Sequence, residues 1–321
     1  MGMTHGEPKT YPRIAEAIGY CRPQDAVAVG EAVVTVQRDW GDRSDRKHAR
    51  LKYTIEDRGL NAFRIEVERR SGVRLGKPKR FAFTSTGDSY GWSESANGRA
   101  HLTLFIENGR IKDLPSATIA MGLRRIADTH DGEIHLTTNQ NIVIADVAQE
   151  KRAVIEALLV EHGLTAHASP LRRNAMACVA LPTCGLALAE SERYLPSLVT
   201  ALEQRLAANG LSQDEIVIRM TGCPNGCARP YLAEIGLVGT GPGRYNLYLG
   251  GAFDGSRLSK LYANSLDEAG IIARLDPLFA AYAAERDAGE RFGAFVIRAG
   301  FVARTVNGAD FHAHTGPQRA V

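Results

Sequence analysis

Apolar and polar positions recur along the chain with three different rhythms. In residues 11–70 the apolar residues return at helical spacing: Ala26, Val27, Val29, Ala32, Val33 and Val36 within 25–38, then Phe63, Ile65 and Val67 among charges within 61–70. Residues 75–98 mix Lys, Pro, Ser and Gly without a period, which predicts a linker and a boundary near Trp92. Beyond it, residues 101–106 alternate as a strand, and 116–129 carry Ile119, Leu123, Ile126 and Ala127 at helical spacing. Residues 133–138 and 141–146 read as strands, and 149–162 as a helix.

The order strand, helix, strand, strand, helix predicts an α+β sandwich of the ferredoxin-like kind, or half of one. A last rhythm starts near residue 171. It predicts a long helix over 186–208, a strand over 215–221 with Ile216, Ile218 and Met220 on one face, and strands over 234–238 and 245–249. A helix over 266–286 and a strand over 295–298 follow. The glycine run 239–243 lacks the G-K-[ST] ending of a phosphate loop and reads as a hairpin loop. Three units result, 1–75, 92–165 and 171–305, with a mobile tail over 306–321.

Composition sharpens this little. Hydrophobic content of 44% and charged content of 23% are those of an ordinary soluble protein. The 39 basic and 36 acidic residues leave a net charge of +3 with no long block of one sign, so nothing points to a nucleic-acid partner. Apolar runs such as 142–145 and 157–160 are far shorter than the roughly 20 residues of a membrane span. The first eight residues lack the basic-then-apolar order of a secretory signal, and an odd number of cysteines without a disulfide-type distribution suits a reducing cytoplasm.

The cysteines carry the chemistry. Four of the five lie in two short pieces: Cys178 and Cys184 in a C-x5-C spacing, then, after 38 residues, Cys223 and Cys227 in a C-x3-C spacing. Pro182, Pro224, Gly222 and Gly226 bend the chain in and around these pieces, so the loops can aim four thiolates at one centre. A zinc site would more usually show two tighter knuckles, whereas an iron-sulfur cubane needs thiolates spread around a larger object; the wide, unequal spacing favours the cubane over zinc or over four buried structural cysteines. The predicted strand 215–221 delivers the chain straight into Cys223. Glycine amides beside the sulfurs can donate hydrogen bonds to a cluster.

Two further stretches admit two readings each. Residues 40–53 hold Arg43, Arg46, Lys47, Arg50 and Lys52, which form either a solvated face or a cradle for an anion. The amides Asn139, Gln140 and Asn141, in the turn 137–141, either cap that turn or contact a ligand.

With these residues in view the chain resembles the sirohaem-containing sulfite and nitrite reductases. The resemblance is carried by Asn174-Ala175-Met176-Ala177-Cys178 through Cys184, by Thr221-Gly222-Cys223-Pro224-Asn225-Gly226-Cys227, and by residues 242–251. Residues 37–41, 101–110 and 138–141 support it. It implies a ferredoxin-like half-domain followed by a mixed α/β sirohaem/[4Fe-4S] domain, preceded by the rear part of a similar domain. It also implies that Cys178, Cys184, Cys223 and Cys227 hold a [4Fe-4S] cluster, with Cys227 bridging to the sirohaem iron.

Sirohaem bears eight carboxylates, so the resemblance singles out Arg50, Lys52, Asn139, Gln140, Asn141 and Asn225 as its contacts. The implied activity is six-electron reduction of sulfite to sulfide in sulfate assimilation and cysteine biosynthesis, with electrons passed from NADPH by a flavoprotein (alpha) subunit. Sirohaem nitrite reduction, or a non-catalytic cluster-bearing electron-transfer module, are the alternatives. Members of the family carry about another half of their length before the position of Met1, including side chains that grip the substrate over the haem; the implied substrate pocket is therefore only partly built by this chain.

Overall fold

The computed structural model describes residues 3, 9–79, 81–165, 168–312 and 319. The first unit is helical. Helix α1 (Ala26–Trp40) buries Ala32 and Val36, α2 (Leu51–Arg58) is short, and α3 (Leu60–Ser71) buries Phe63 and Val67 against α1. Gly59, at φ +81°, turns the chain between α2 and α3, a backbone region L-residues avoid. A segment without helix or strand, residues 10–19, runs ahead of α1, and Tyr20 at its end is tied to the end of the unit by reciprocal backbone bonds with Gly76 of 2.8 and 3.0 Å.

A four-stranded antiparallel sheet follows. Strands β1 (Gly91–Glu94) and β2 (Ala100–Leu104) form a hairpin, and a two-stranded ribbon, β3 (Asp113–Leu114) with β4 (Ala117–Thr118), leads into α4 (Ile119–Thr129). Strands β5 (Glu133–Leu136) and β6 (Ile142–Val147) and helix α5 (Arg152–Glu161) complete the layer, with sheet order β1-β2-β6-β5. One face of β2 and β6 packs Leu102, Leu104, Ile142, Ile144 and Val147 on Ile126 of α4 and Ile155, Leu158 and Leu159 of α5. The expected α+β sandwich is present. The stretch predicted as a linker, however, contains β1: Trp92 lies in a strand paired with Leu102 and stacks on the Arg152 guanidinium. Pairing with β2 makes that four-residue segment a strand, which its own residues do not announce.

The last unit begins with the single turn α6 (Pro170–Arg173), strand β7 (Ala175–Ala177) and helix α7 (Leu195–Ala208). Strands β8 (Ile218–Thr221), β9 (Ile235–Gly241), β10 (Arg244–Leu249) and β11 (Lys260–Leu266) build a mixed sheet of order β11-β10-β9-β8-β7, in which β7, β8 and β9 run parallel. Helices α8 (Glu268–Glu285) and α9 (Phe292–Arg298) join α7 on one face. Glu234, fully buried before β9, accepts backbone N–H bonds of 2.9 Å from both Val217 and Gly293, and burial raises its carboxyl above the usual range.

Four expectations need correction here. Residues 295–298 are helical: Phe292, Phe295 and Val296 have helical spacing and all three face the core, a pattern too short to read as such from 295–298 alone. Strand β11 was not expected, because Lys260, Asn264 and Ser265 interrupt its apolar pattern and its register on β10 is bulged. The helix predicted from 186 starts at Leu195, because the backbone N–H groups of Leu188 and Ala189 bond Gly222 O across the sheet end instead of forming a helical ladder. Of the tail predicted as mobile, residues 308–312 form a 3-10 turn and Phe311 is buried, its ring stacked 5.2 Å from Tyr248; residues 313–318, 320 and 321 lie outside the described residues. The run 239–243 is a hairpin, as expected, though the loop shrinks to Pro242 and Gly243 because Gly241 pairs with Arg244.

Candidate functional site

Parallel pairing explains how cysteines 38 residues apart come together. In β7 and β8, Ala177 lies opposite Met220, and the Cys178 N–H continues the ladder to Met220 O at 3.2 Å. Both cysteine loops therefore leave from the same carboxyl end of two adjacent strands, a usual place for a site in parallel sheets, and α7 makes the crossover. Close packing holds them there. A Cβ on Gly222 would lie 2.5 Å from Ala189 O, and Gly226 adopts φ +68°. Gly222 N–H points at Cys178 Sγ from 3.4 Å, Cys184 N–H bonds Ala180 O at 2.7 Å, and Ser191 Oγ donates to Met220 O at 2.8 Å.

Cys223 is buried, Cys178 and Cys184 are half-buried and Cys227 is exposed. Burial raises the thiols of Cys178 and Cys223 above the ordinary cysteine range, and neighbouring sulfurs add to it: Cys227 acts on Cys178, and Cys227, Cys178 and Cys184 all act on Cys223. The Asn225 backbone N–H works the other way, bonding the Cys223 sulfur. Among the described residues no three Cys, His, Asp or Glu side chains converge on a single metal-ion position.

Beside the loops lies an open cleft of about 840 Å³, bordered by Ile14 and Ala15, Phe81 and Phe83, Thr86–Asp88, Thr138 and Asn139, Arg219 and Arg229, and residues 253–256. Arg219 projects from β8 and Arg229 follows the second cysteine loop at φ +61°. Their guanidinium groups approach the same Met176 sulfur at 3.3 and 3.6 Å, and among the described residues neither meets a carboxylate within ion-pair distance. Burial, then the charge of Arg229, lowers Arg219 to about 10. These two arginines were not singled out from sequence; the signal available was a basic residue on each side of Cys223 and Cys227, in reach of both.

The amide turn divides its members. Asn139 lines the cleft and donates to Thr86 O at 3.0 Å and to Asp88 Oδ1 at 3.1 Å. Asn141 is fully buried; its Oδ1 accepts from Ile106 N at 2.8 Å and its Nδ2 donates to Asp88 and to the Tyr90 hydroxyl. Gln140, at φ +67°, donates from Nε2 to Ala177 O at 2.9 Å. Asp88, which no sequence pattern marked, ties this turn together by accepting from Thr137, Asn139 and Asn141.

Lys52 does not line this cleft. It borders a separate, apolar cavity of about 330 Å³ with Ile14, Val33, Ile55 and Phe63, on the other side of Ile14 and Ala15. Its Nζ donates to Tyr11 O and lies 5.0 Å from the Tyr53 ring centre, and burial lowers it to about 8. Arg50 precedes α2, where its carbonyl accepts from Tyr53 N at 3.0 Å.

Comparison with known proteins adds the family. Residues 1–75 match the model described as nitrite and sulphite reductase 4Fe-4S domain, and residues 93–162 match the nitrite/sulfite reductase ferredoxin-like half domain. Neither match reaches the cysteine loops. Two of the three units thus match domains of the nitrite and sulfite reductase family.

The chain is 65% identical to a sulfite reductase [NADPH] hemoprotein beta-component of Methylobacterium sp. (strain 4-46), an alignment covering 100% of this chain and 54% of that protein. It is 55% identical to the protein of the same name from Chromohalobacter salexigens, covering 98% of this chain and 55% of the relative. The chain thus spans about half the length of the curated relatives it matches. Among solved structures, the Mycobacterium tuberculosis NirA protein superposes with a TM-score of 0.76 at 28% identity, covering 92% of this chain and 59% of that one. Among the described residues no helix is long and apolar enough to cross a membrane.

Proposed function

We propose that this chain is the cluster-bearing portion of a sulfite reductase haemoprotein component, with Cys178, Cys184, Cys223 and Cys227 as ligands of a [4Fe-4S] cluster and Cys227 as the thiolate shared with a sirohaem in the adjacent cleft. The observation that carries the reading is the placement of all four cysteines on two loops at one end of neighbouring parallel strands. Their charges interact, and the wide, unequal spacing of the four thiols suits a cubane.

The cleft suits an anionic tetrapyrrole. Arg219 and Arg229 carry unneutralised charge among the described residues and would receive its carboxylates, with Asn139 supplying an amide donor. Asn225 holds the Cys223 sulfur through its backbone N–H, and Asn141 supports the turn from inside. Lys52, with Arg50 two positions before it, acts from the neighbouring cavity as a more distant positive charge.

The bound groups supply one-electron storage and an iron that binds the substrate. This chain's own part is to hold the shared thiolate at the cleft, to neutralise the carboxylates and to cover the cluster with the packed backbone around Gly222. The units 1–75, 92–165 and 171–305 divide these tasks: the first unit walls the cleft with Ile14 and Ala15, the second contributes the amide turn, and the third holds the metal ligands. Sulfite is the substrate and a flavoprotein alpha subunit drawing on NADPH is the electron donor, in the cytoplasm; the names of the relatives favour sulfite over nitrite.

Anaerobic reconstitution tests the reading. The expected product binds four irons and four sulfides per chain and shows cluster absorption that Cys223→Ser abolishes. An unchanged spectrum in that variant would sink the ligand assignment.

A further inference from the structure

We propose that Gln140 is a positioning residue for Cys178, through which the four-stranded unit sets the first thiol of the cysteine site. This rests on the reading of Cys178 as a cluster ligand only for its consequence; the contact itself involves protein atoms alone. Strand β7 is the edge of its sheet, and the residue before Cys178 is Ala177. An edge strand presents backbone groups without a partner strand. Gln140 reaches from the turn between β5 and β6 and donates from Nε2 to Ala177 O at 2.9 Å.

Three observations mark this contact as built. Gln140 holds φ +67°, a conformation a glutamine adopts only when its surroundings impose it. Gly109, itself at φ +68°, gives it room: a Cβ there would lie 3.0 Å from Gln140 Cβ. The other end of the amide, Oε1, is buried with no partner among the described residues, so the side chain is oriented by its donor alone.

A second turn of the same unit grips the same place. Asn108 Nδ2 donates to Glu192 O at 3.1 Å and Arg110 to Glu192 Oε1 at 2.5 Å, while Glu192 N–H bonds Cys178 O at 3.1 Å. Cys178 is therefore bracketed through the backbone on both sides, before it at Ala177 and after it at its own carbonyl. A sheet that contributes no cysteine to the site nevertheless determines where its first sulfur sits.

The test uses the full chain with Gln140→Leu, and with Gln140→Met as a second variant that keeps the side chain's length and removes the amide without adding a charge. In cluster-free protein, the alkylation rate of Cys178 by iodoacetamide is read by mass spectrometry against Cys21, which lies in the first unit. Cys178 is expected to react roughly two- to tenfold faster in both variants, the span of one lost hydrogen bond, with Cys21 unchanged. After reconstitution the same variants should lose cluster absorption to an iron chelator faster by a similar factor, and their cluster midpoint potential should move.

An unchanged Cys178 rate in a folded variant overturns the proposal. So does a matching rise at Cys21, or an equal rise at Cys178 in Gln149→Leu, whose side chain bonds elsewhere in the same unit; both would mean general loosening. If the wild type binds no cubane, the cluster reading fails, while the alkylation ratio still decides the role of Gln140.

Discussion

In the basic stretch of the first unit, Arg43 and Lys52 find partners close by, whereas Arg219 and Arg229 hold their guanidinium groups toward an open cleft. Arg43 donates twice to Arg38 O, at 3.1 and 2.9 Å, His48 faces the carboxylates of Asp42 and Asp57 at 3.6 and 3.8 Å, and Lys52 donates to Tyr11 O. The two arginines flanking the second cysteine loop have a methionine sulfur and weak carbonyl contacts instead. A dense run of basic residues in sequence is thus a poor guide to where an anion is received. Like charges held together at a cleft, with its carboxylates Asp88 and Asp254 outside ion-pair distance of them, are the stronger sign, because such an arrangement costs free energy that a bound anion offsets.

The comparison can be broken by substitution. The largest effect is expected for the double variant Arg219→Met with Arg229→Met: removing two charge-assisted contacts should weaken tetrapyrrole retention by about 3–6 kcal/mol, at about 1.5–3 each. Absorbance titration with sirohaem reads this, and unaltered affinity would show that the cleft charge serves something else.

Next comes a buried charge that is satisfied from within. Glu234→Ala should lower folding stability by about 1–3 kcal/mol for each of the two N–H groups left without an acceptor, measured by denaturant unfolding. The pH response has a definite sign. Because burial raises the Glu234 carboxyl in the fold, its contribution is fully present below the ordinary glutamate range and is lost as pH rises through the raised value; Glu234→Gln should flatten that decline.

The smallest effects belong to the basic stretch. Arg43→Ala and Lys52→Met should each change tetrapyrrole binding by less than about 1 kcal/mol. A loss from Lys52→Met as large as that from Arg219→Met would reverse the contrast between the two regions.

Much of this was legible beforehand, for local reasons. Helices α1 and α3 announce themselves by apolar spacing, the strands β2 and β6 by alternation, and the cysteine loops by Pro and Gly around widely spaced thiols. The misses share one cause. Strand β1 exists because β2 accepts it, β11 because β10 does despite a bulge, and residues 186–194 are not helical because Gly222 O takes their N–H groups. Each depends on a partner outside the segment itself, and local propensity yields to such partners.

By itself the amino-acid sequence determined which residue types are available for the chemistry: four thiols in two bent loops, whose wide, unequal spacing favours a cubane, and the periodicities that divide the chain into a helical unit, a half-sandwich and a mixed sheet. Only the tertiary structure decided which charges face the cleft and what holds Cys178 in place. Those depend on pairing across space: parallel β7 and β8 bring the two loops to one end, the Ile14–Ala15 segment puts Lys52 on the far side of a wall, and Gln140 reaches an edge strand 37 residues away. No window of sequence contains such a pair, so no local pattern can reveal it.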